Sequence, residues 1–314
     1  MGDGKLKVRM ATLDDVEGIT EVHCSDVDKW FKWIRGEKVQ ARYEELSVGE
    51  RYRHGGPWMS IETCAIHINY VLTSGQYPLV AELEGKIVGE LELYIGEERG
   101  DLGKTAFIDI LEVHKDYRKR GVGRALINTA RMIAIKENCS TLTVWPDKRV
   151  IPFYRKCGLN KTAYNIAQII VDTRNVPKPR KTYSIQEFPN KYPVRSLWLV
   201  SPRIYSSFAA WLKSRWNYAL NEARTTVYSG FIPELQAAFI LESYWMRREE
   251  ATAWLWIESK DNIRDVLSWL CQETSKMGYK KLRLLVERQV YEDWIKNTFS
   301  SQITGEELLL KEVL

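Results

Sequence analysis

Hydrophobic positions alternate with polar ones in some segments of the chain and recur every three to four residues in others. The first pattern is typical of half-buried strands and the second of helices that pack on one face. In the first 170 residues these patterns predict a hairpin over 77–95, strands over 105–113, 142–145 and 167–171, and helices over 123–137 and 150–157. Strands and helices mixed in this order predict an α/β (α+β) domain, a mixed sheet flanked by helices.

The second half of the sequence repeats this plan. The strand and helix over 142–159 match those over 282–299 at a constant offset of 140 residues (282 − 142), and the helix over 121–137 falls on 261–277 at the same offset. A charged stretch with spaced prolines begins at residue 175 and is typical of a linker. The sequence therefore predicts a domain over 1–174, a linker over 175–192 and a second, smaller, degenerate copy over 193–314.

Charge and hydropathy disfavour several classes of protein. Lys and Arg number 46 against 41 Asp and Glu, and this excess of +5 is too small and too evenly spread to favour nucleic-acid binding. We expect no membrane association, because no apolar run reaches about 18 residues. Charged residues are frequent in the first thirty positions, so we expect no signal peptide there.

The five cysteines form no C-x-x-C pair and are odd in number, which favours a reducing, cytoplasmic location. Cys64 and His67 fall on one face of a predicted helix, near His23 and Cys24 in sequence. Their spacing lacks the paired ligands that are typical of zinc sites, so we predict no metal.

The segment over 117–126, Tyr-Arg-Lys-Arg-Gly-Val-Gly-Arg-Ala-Leu, follows a predicted strand and opens an amphipathic helix. Glycine allows close approach to the backbone, and the free N–H groups of a first helical turn attract anions. Several cations surround this turn. Together these features predict a site for a pyrophosphate.

This turn, the helix and strand after it, and Phe153-Tyr-Arg-Lys-Cys-Gly-Leu159 together resemble the GNAT superfamily of acyl-CoA N-acyltransferases over about residues 5–171. The resemblance implies a splayed mixed sheet and acetyl-CoA as cosubstrate, with the acetyl group moving directly to a primary amine on a small molecule or peptide. It places coenzyme A on Leu111, Val113, Arg118, Lys119, Arg120, Gly121, Val122, Gly123, Arg124, Asp147 and Tyr154. Asp147 departs from the asparagine that is frequent in the family.

Acetyl transfer to an amine requires proton removal from nitrogen and proton delivery to the leaving thiolate. Tyr154 matches the position of the family's proton donor, and a backbone N–H near Val113 would polarise the thioester carbonyl. Glu112 and Glu92 are candidates for the base, and Glu90 lies beside Glu92. The alternative for each is a strand carboxylate that is only solvated or salt-bridged. Trp58 and Tyr52 either line the acceptor pocket or pack their own loop.

The second copy is expected to bind no coenzyme A, because Asp261 and Ile263 stand at the positions of Gly121 and Gly123, and Trp294 at that of Tyr154. Its role is either to wall the acceptor groove or to form a contact such as a homodimer interface. An alternative function of the whole chain is a non-catalytic sensor or scaffold that binds acyl-CoA.

Overall fold

The computed structural model describes residues 5–191, 197–244 and 247–314. They form two compact units, each built from separate stretches of chain. The first unit contains Met1–Ile95, Ile108–Asn138 and Leu212–Arg224, and the second contains Gly96–Phe107, Cys139–Trp211 and Thr225–Leu314.

The first unit is a sheet in the order β1-β4-β5-β6 with helices and a separate two-stranded hairpin, β2-β3. The pairs β1-β4 and β4-β5 are antiparallel. Strands β5 and β6 also contribute residues to the second unit. The elements are β1 (Lys7–Met10), α1 (Val16–Cys24), β2 (Trp30–Ile34), β3 (Glu37–Ala41), α2 (Val48–Tyr52), α3 (Ile61–Thr73), β4 (Tyr77–Leu83), β5 (Lys86–Glu97), β6 (Lys104–Val113) and α4 (Val122–Lys136).

Helices α1 and α3 bury their apolar faces in one core with β4. Ile19 of α1, Ile68 of α3 and Val80 of β4 are fully buried there. Ser60 caps α3, because its hydroxyl accepts from the amide of Thr63 (3.4 Å). Packing of these helices fixes which side chains of α1 and α3 face β5.

The second unit contains strands on both sides of the predicted linker, in the order β7-β14-β8-β13-β12-β11-β10, with β9 paired to β12. Its elements are β7 (Thr141–Val144), α5 (Ile151–Lys156), β8 (Lys161–Asp172), β9 (Trp198–Ser201), β10 (Thr226–Ile232), β11 (Ala237–Ser243), β12 (Glu250–Ile257), α7 (Ile263–Lys276), β13 (Lys281–Glu287), the short helix α8 (Arg288–Val290) and β14 (Ser301–Val313). Helix α6 (Ser207–Ser214) has residues in both units.

The second unit also shows how the ends of the two sequence repeats pair. Strands β7 and β13 begin at Thr141 and Lys281, and β8 and β14 at Lys161 and Ser301, so each pair is 140 residues apart. Yet β14 lies between β7 and β8 and is antiparallel to both. Strand β8 in turn pairs with β13. The last strand of each repeat therefore pairs with strands of the other repeat.

The expected mixed sheet flanked by helices is confirmed, and each predicted strand and helix named above lies within two residues of an observed one, with two exceptions. The helix predicted to end at residue 299 ends at Ile295, and the strand predicted over 167–171 is longer. That strand, β8, begins six residues earlier, at Lys161. The hairpin of β2 and β3 was not expected. The compact units follow spatial contacts and interleave along the chain, so the sequence division at 175–192 stays a prediction. No helix in the described residues is long and apolar enough to cross a membrane.

A buried cation joins separate stretches of the second unit. The Arg203 side chain is 2% exposed and forms ion pairs with Glu98 and Glu287, both at 3.3 Å. The guanidinium also lies over the ring of Tyr164 (4.4 Å to the centroid). Burial raises the pKa of Glu98, and the nearby Arg203 opposes that rise.

Replacing Arg203 should therefore be costly. Arg203→Ala leaves the Glu98 carboxylate buried without its cation, and we expect the free energy of unfolding to fall by about 3–5 kcal/mol. The control is Arg174→Ala, which breaks the more exposed pair with Asp172 and should cost less than about 1 kcal/mol. Urea unfolding measures both, and equal losses would contradict this account.

Candidate functional site

The turn that opens α4 has an unusual backbone. Lys119 and Gly121 both have positive φ, +62° and +87°. The first helical bond in this turn runs from the amide of Ala125 to the Gly121 carbonyl (3.0 Å), so the amides before it are not used by the helix. Residues 118–121 are exposed, and a Cβ at Gly121 would meet no atom within 4 Å. Such a turn, with successive N–H groups at a helix start, is suited to bind an anion.

Arg118 makes its contacts with the strand that precedes the turn and with Asp26. Its guanidinium turns back to the end of β6, where it contacts Glu112 (2.7 Å), Asp26 (2.6 Å) and the Val113 carbonyl (3.0 Å). Glu112 also accepts from the amide of Val113 (3.2 Å). Lys119, Arg120 and Arg124 are exposed around the turn. Arg118 thus holds Glu112 over the strand end.

Two carboxyl groups lie side by side on the buried face of β5. Because side chains of a strand alternate, Glu90 and Glu92 share a face while Leu91 and Leu93 fill the opposite one. Both carboxyls are fully buried. Nε2 of His23 lies 2.5 Å from Oε2 of Glu90. Oε1 of Glu90 has no hydrogen-bond partner among the residues that the structure describes.

Glu92 is surrounded by donors. Nε2 of His67 (2.7 Å) and Nε1 of Trp58 (2.9 Å) contact its Oε1, and the Tyr94 hydroxyl donates to its Oε2 (2.6 Å). Trp58 lies between the two histidines, stacked on His23 at 5.1 Å and edge-on to His67 at 4.8 Å. The two carboxyl–imidazole pairs and this indole form one buried polar cluster.

The two carboxyls differ in charge. Burial raises the pKa of Glu90, and the charge of Glu92 raises it further. Burial also opposes the charge of Glu92, but the electrostatic effect and hydrogen bond of His67, with the hydrogen bond of Tyr94, outweigh it and lower the pKa to about 2. Burial lowers the pKa of His23 to about 4. The pair therefore favours the negative charge on Glu92 and the proton on Glu90.

The predicted site residues fall in both units. The first unit holds Glu92, Leu111–Val113 and the turn over 118–124. The second holds Asp147 and Tyr154. Asp147 is exposed and paired with Arg149 (3.0 Å). Tyr154 is buried on α5, with its ring 5.2 Å from that of Phe153. The roles assigned to these residues stay predictions.

Sequence reasoning missed several residues of the buried cluster. His67 was weighed only as a metal ligand, yet its Nδ1 contacts the hydroxyl of Tyr218 (2.8 Å). Lys213 pairs with the buried Asp109 (2.5 Å). No local signal marks these contacts, because they join residues more than 100 positions apart. Among the residues that the structure describes, no group of three His, Cys, Asp or Glu could hold a metal ion.

The fold and this turn agree with a comparison to known families. Residues 37–159 match the family model "Acetyltransferase (GNAT) family". Over residues 37–159 the chain is therefore similar to a GNAT-family acetyltransferase domain, as its motifs indicated. No curated protein sequence matches the chain.

Solved structures share the fold over nearly the whole chain. A GCN5-related N-acetyltransferase from Anabaena variabilis is 13% identical, with a TM-score of 0.60, and the match covers 98% of this chain and 73% of that one. One from Kribbella flavida is 12% identical (TM-score 0.59; 99% and 71% covered). Eis1 from Mycobacterium abscessus is 10% identical (TM-score 0.53; 98% and 73%). At these identities the likeness shows the fold alone.

The opposite pKa shifts of Glu90 and His23 make the stability of the fold depend on pH. The pKa of Glu90 is raised in the folded chain, so Glu90 keeps a proton that the unfolded chain releases above about pH 4.5. Its contribution to the free energy of unfolding is therefore lost as pH rises. His23, with a lowered folded pKa, lacks a proton that the unfolded chain binds below about 6.5, so its contribution is lost as pH falls. The two effects cancel between these values, and above pH 6.5 only that of Glu90 remains.

We therefore expect the free energy of unfolding to decrease above pH 6.5, by up to ~1.4 kcal/mol per pH unit. Glu90→Gln should lose this slope, because its amide donates to His23 without titrating. Urea unfolding between pH 5 and 8.5 measures the slope, and Glu21→Gln, exposed on the same helix as His23, is the control. An unchanged slope in Glu90→Gln would show that Glu90 is ionised.

Proposed function

We propose that the protein is an N-acetyltransferase that moves an acetyl group from acetyl-CoA directly to a primary amine. The observation that carries this proposal is the exposed turn over 118–124 at the start of α4, within the GNAT-family domain. The positive φ of Gly121 and the open space beside it suit the close approach of a pyrophosphate. The acceptor is a small molecule or a peptide, and the odd number of cysteines, five, suits a reducing, cytoplasmic setting.

In the proposed reaction the amine nitrogen bonds to the acetyl carbon, the carbon–sulfur bond breaks, and the thiolate leaves. The nitrogen loses its protons to a base, and the thiolate takes one from an acid. Amides of residues 121–124 would hold the pyrophosphate, and Lys119, Arg120 and Arg124 would add positive charge. The backbone of Leu111 and Val113 would receive the pantetheine arm, and Asp147 its far part.

At the end of β6, the amide that the proposed site needs is already hydrogen-bonded. The Val113 amide, assigned above to polarise the thioester, donates to Glu112 in this structure. Glu112 must release this amide before an acetyl oxygen can accept from it. Arg118, which also contacts Glu112, would then keep the displaced carboxylate nearby, where it could act as a base.

The second repeat supports one catalytic site per chain in this proposal. Asp261, at the position of Gly121, precedes α7, and its amide donates a hydrogen bond to the hydroxyl of Ser259 (3.2 Å). Asn262, which precedes α7 directly, has ordinary right-handed geometry (φ −84°). A carboxylate and an occupied amide both disfavour phosphate there. The tandem arrangement thus combines a working copy with a degenerate one.

Gly121→Asp tests the phosphate turn. We expect the variant to lose binding of acetyl-CoA, because a carboxylate would stand where phosphate oxygens belong. Gly85→Asp is the matched control, since Gly85 also has a positive φ (+78°) and open space but lies in the hairpin turn of β4 and β5. Calorimetry on both folded variants decides. Unchanged affinity in Gly121→Asp would refute the turn as the phosphate site.

Tyr154→Phe tests the proton donor. If the phenol protonates the departing thiolate, turnover should fall by about tenfold to ten-thousandfold, the range for general acids. Affinity for acetyl-CoA should barely change, because the ring still packs on α5. Thiol release with a panel of polyamines, amino acids and lysine peptides measures turnover. An unchanged turnover number, with product release shown not to limit it, would exclude this role.

A further inference from the structure

A continuous line of hydrogen bonds runs from the buried strand β5 to the segment over 212–224. Oε1 of Glu92 contacts Nε2 of His67 at 2.7 Å, and Nδ1 of the same ring contacts the hydroxyl of Tyr218 at 2.8 Å. Glu92 is fully buried, His67 is 1% exposed, and Tyr218 is half-buried. Burial therefore decreases along the line, from the carboxylate to the phenol.

The chemistry of Glu92 sets the direction of these bonds. An ionised carboxylate only accepts, so Nε2 of His67 must donate to it. In the neutral ring Nδ1 is then the acceptor, and the Tyr218 hydroxyl donates to it. The phenol oxygen keeps its own lone pairs for another donor. Carboxylate, imidazole and hydroxyl thus take the same order as in a triad that activates a hydroxyl.

The surroundings of Tyr218 suit a cation. Its ring lies 5.6 Å from that of Tyr52 and 6.2 Å from that of Tyr70. Aromatic faces attract ammonium groups, and Tyr70 also ties the segment in place through its hydroxyl, which donates to the Asn217 carbonyl (2.9 Å). In the same unit, the ammonium of Lys213 is held by Asp109, so this part of the fold already accommodates one primary ammonium.

We propose that Tyr218, His67 and Glu92 form the proton relay that deprotonates the acceptor amine. The inference rests on the proposed acetyl transfer and adds a base to it. Tyr218 is the catalytic residue, since its oxygen would contact the substrate ammonium. His67 and Glu92 act through Tyr218, so Glu92 is a positioning residue rather than a base that touches the amine.

The proton balance of the relay is closed. The ammonium gives one proton to the Tyr218 oxygen, and the Tyr218 hydroxyl gives its own proton to Nδ1 of His67. The substrate becomes a neutral amine with a lone pair for the thioester carbon, Tyr218 is unchanged, and His67 becomes an imidazolium. The ionised Glu92 stabilises this imidazolium. The ring then returns its proton to solvent. As the amide forms, the nitrogen loses its second proton, and this one balances the proton that the leaving thiolate takes.

Several titratable groups lie around His67 and Glu92 and belong to any account of the pH dependence of the relay. They are Glu90, Glu92 and Tyr94 of β5, Asp109 of β6, Lys213 of α6, and Tyr218. A ring that carries protons on both nitrogens cannot accept one from Tyr218. The relay therefore predicts that kcat falls on the acid side.

The test uses the full chain with saturating acetyl-CoA and three amines, namely spermidine, lysine methyl ester and a lysine tetrapeptide. Tyr218→Phe should lower kcat by about tenfold to ten-thousandfold, with the affinity for acetyl-CoA unchanged. His67→Gln should lower kcat and remove its acid limb, which a merely structural role would not do. Tyr77→Phe is the matched control, because it removes a phenol hydrogen bond in the same unit, the one to Glu137 (2.9 Å), and Tyr77 has no part in the relay.

The outcomes separate the two proposals. If the parent turns over an amine and Tyr218→Phe stays within about threefold of it, the relay is overturned and acetyl transfer stands. If the parent binds acetyl-CoA but turns over none of the amines, acetyl transfer fails and the relay fails with it. Should Tyr218→Phe not fold, nitrogen NMR of the parent decides the direction of the bonds. A neutral His67 protonated on Nδ1 would overturn the relay.

Discussion

Two carboxyl groups two positions apart on a buried strand cannot both carry a charge without a large electrostatic cost. Glu90 and Glu92 meet this constraint by different partners: His23 contacts Glu90, whereas three donors surround Glu92. The negative charge is therefore favoured on Glu92 and the proton on Glu90. Helices α1 and α3 supply the two histidines, so their positions determine this distribution of charge. The proposed use of His67 as a proton acceptor depends on it as well.

Features that depend on local sequence could be predicted. The hairpin of β4 and β5 follows from alternation around a Glu-Gly turn, and α4 follows from an apolar stripe behind a glycine that takes positive φ. The turn over 118–124 was recognised for the same reason. The contacts of Arg118 could not be predicted, because the sequence does not show that Asp26 and Glu112 both pair with its guanidinium.

The remaining parts depend on contacts between distant residues. Tyr218 and His67 are 151 positions apart, and nothing near either residue indicates the pairing. The 140-residue offset correctly matched the strands and helices of the two repeats, but it could not show that β14 enters between β7 and β8. A repeat predicts which elements are equivalent. It does not predict which of two equivalent strands will pair with a given edge.

This pairing shows what constrains the second half of the chain apart from any ligand. In α7 the buried stripe of Val266 and Leu270 packs against the sheet of the second unit. Strand β14 supplies main-chain partners to both β7 and β8, so its removal would expose two strand edges. Packing and strand pairing thus preserve the fold there even with Asp261 at the position of Gly121, where the proposed function requires no phosphate site.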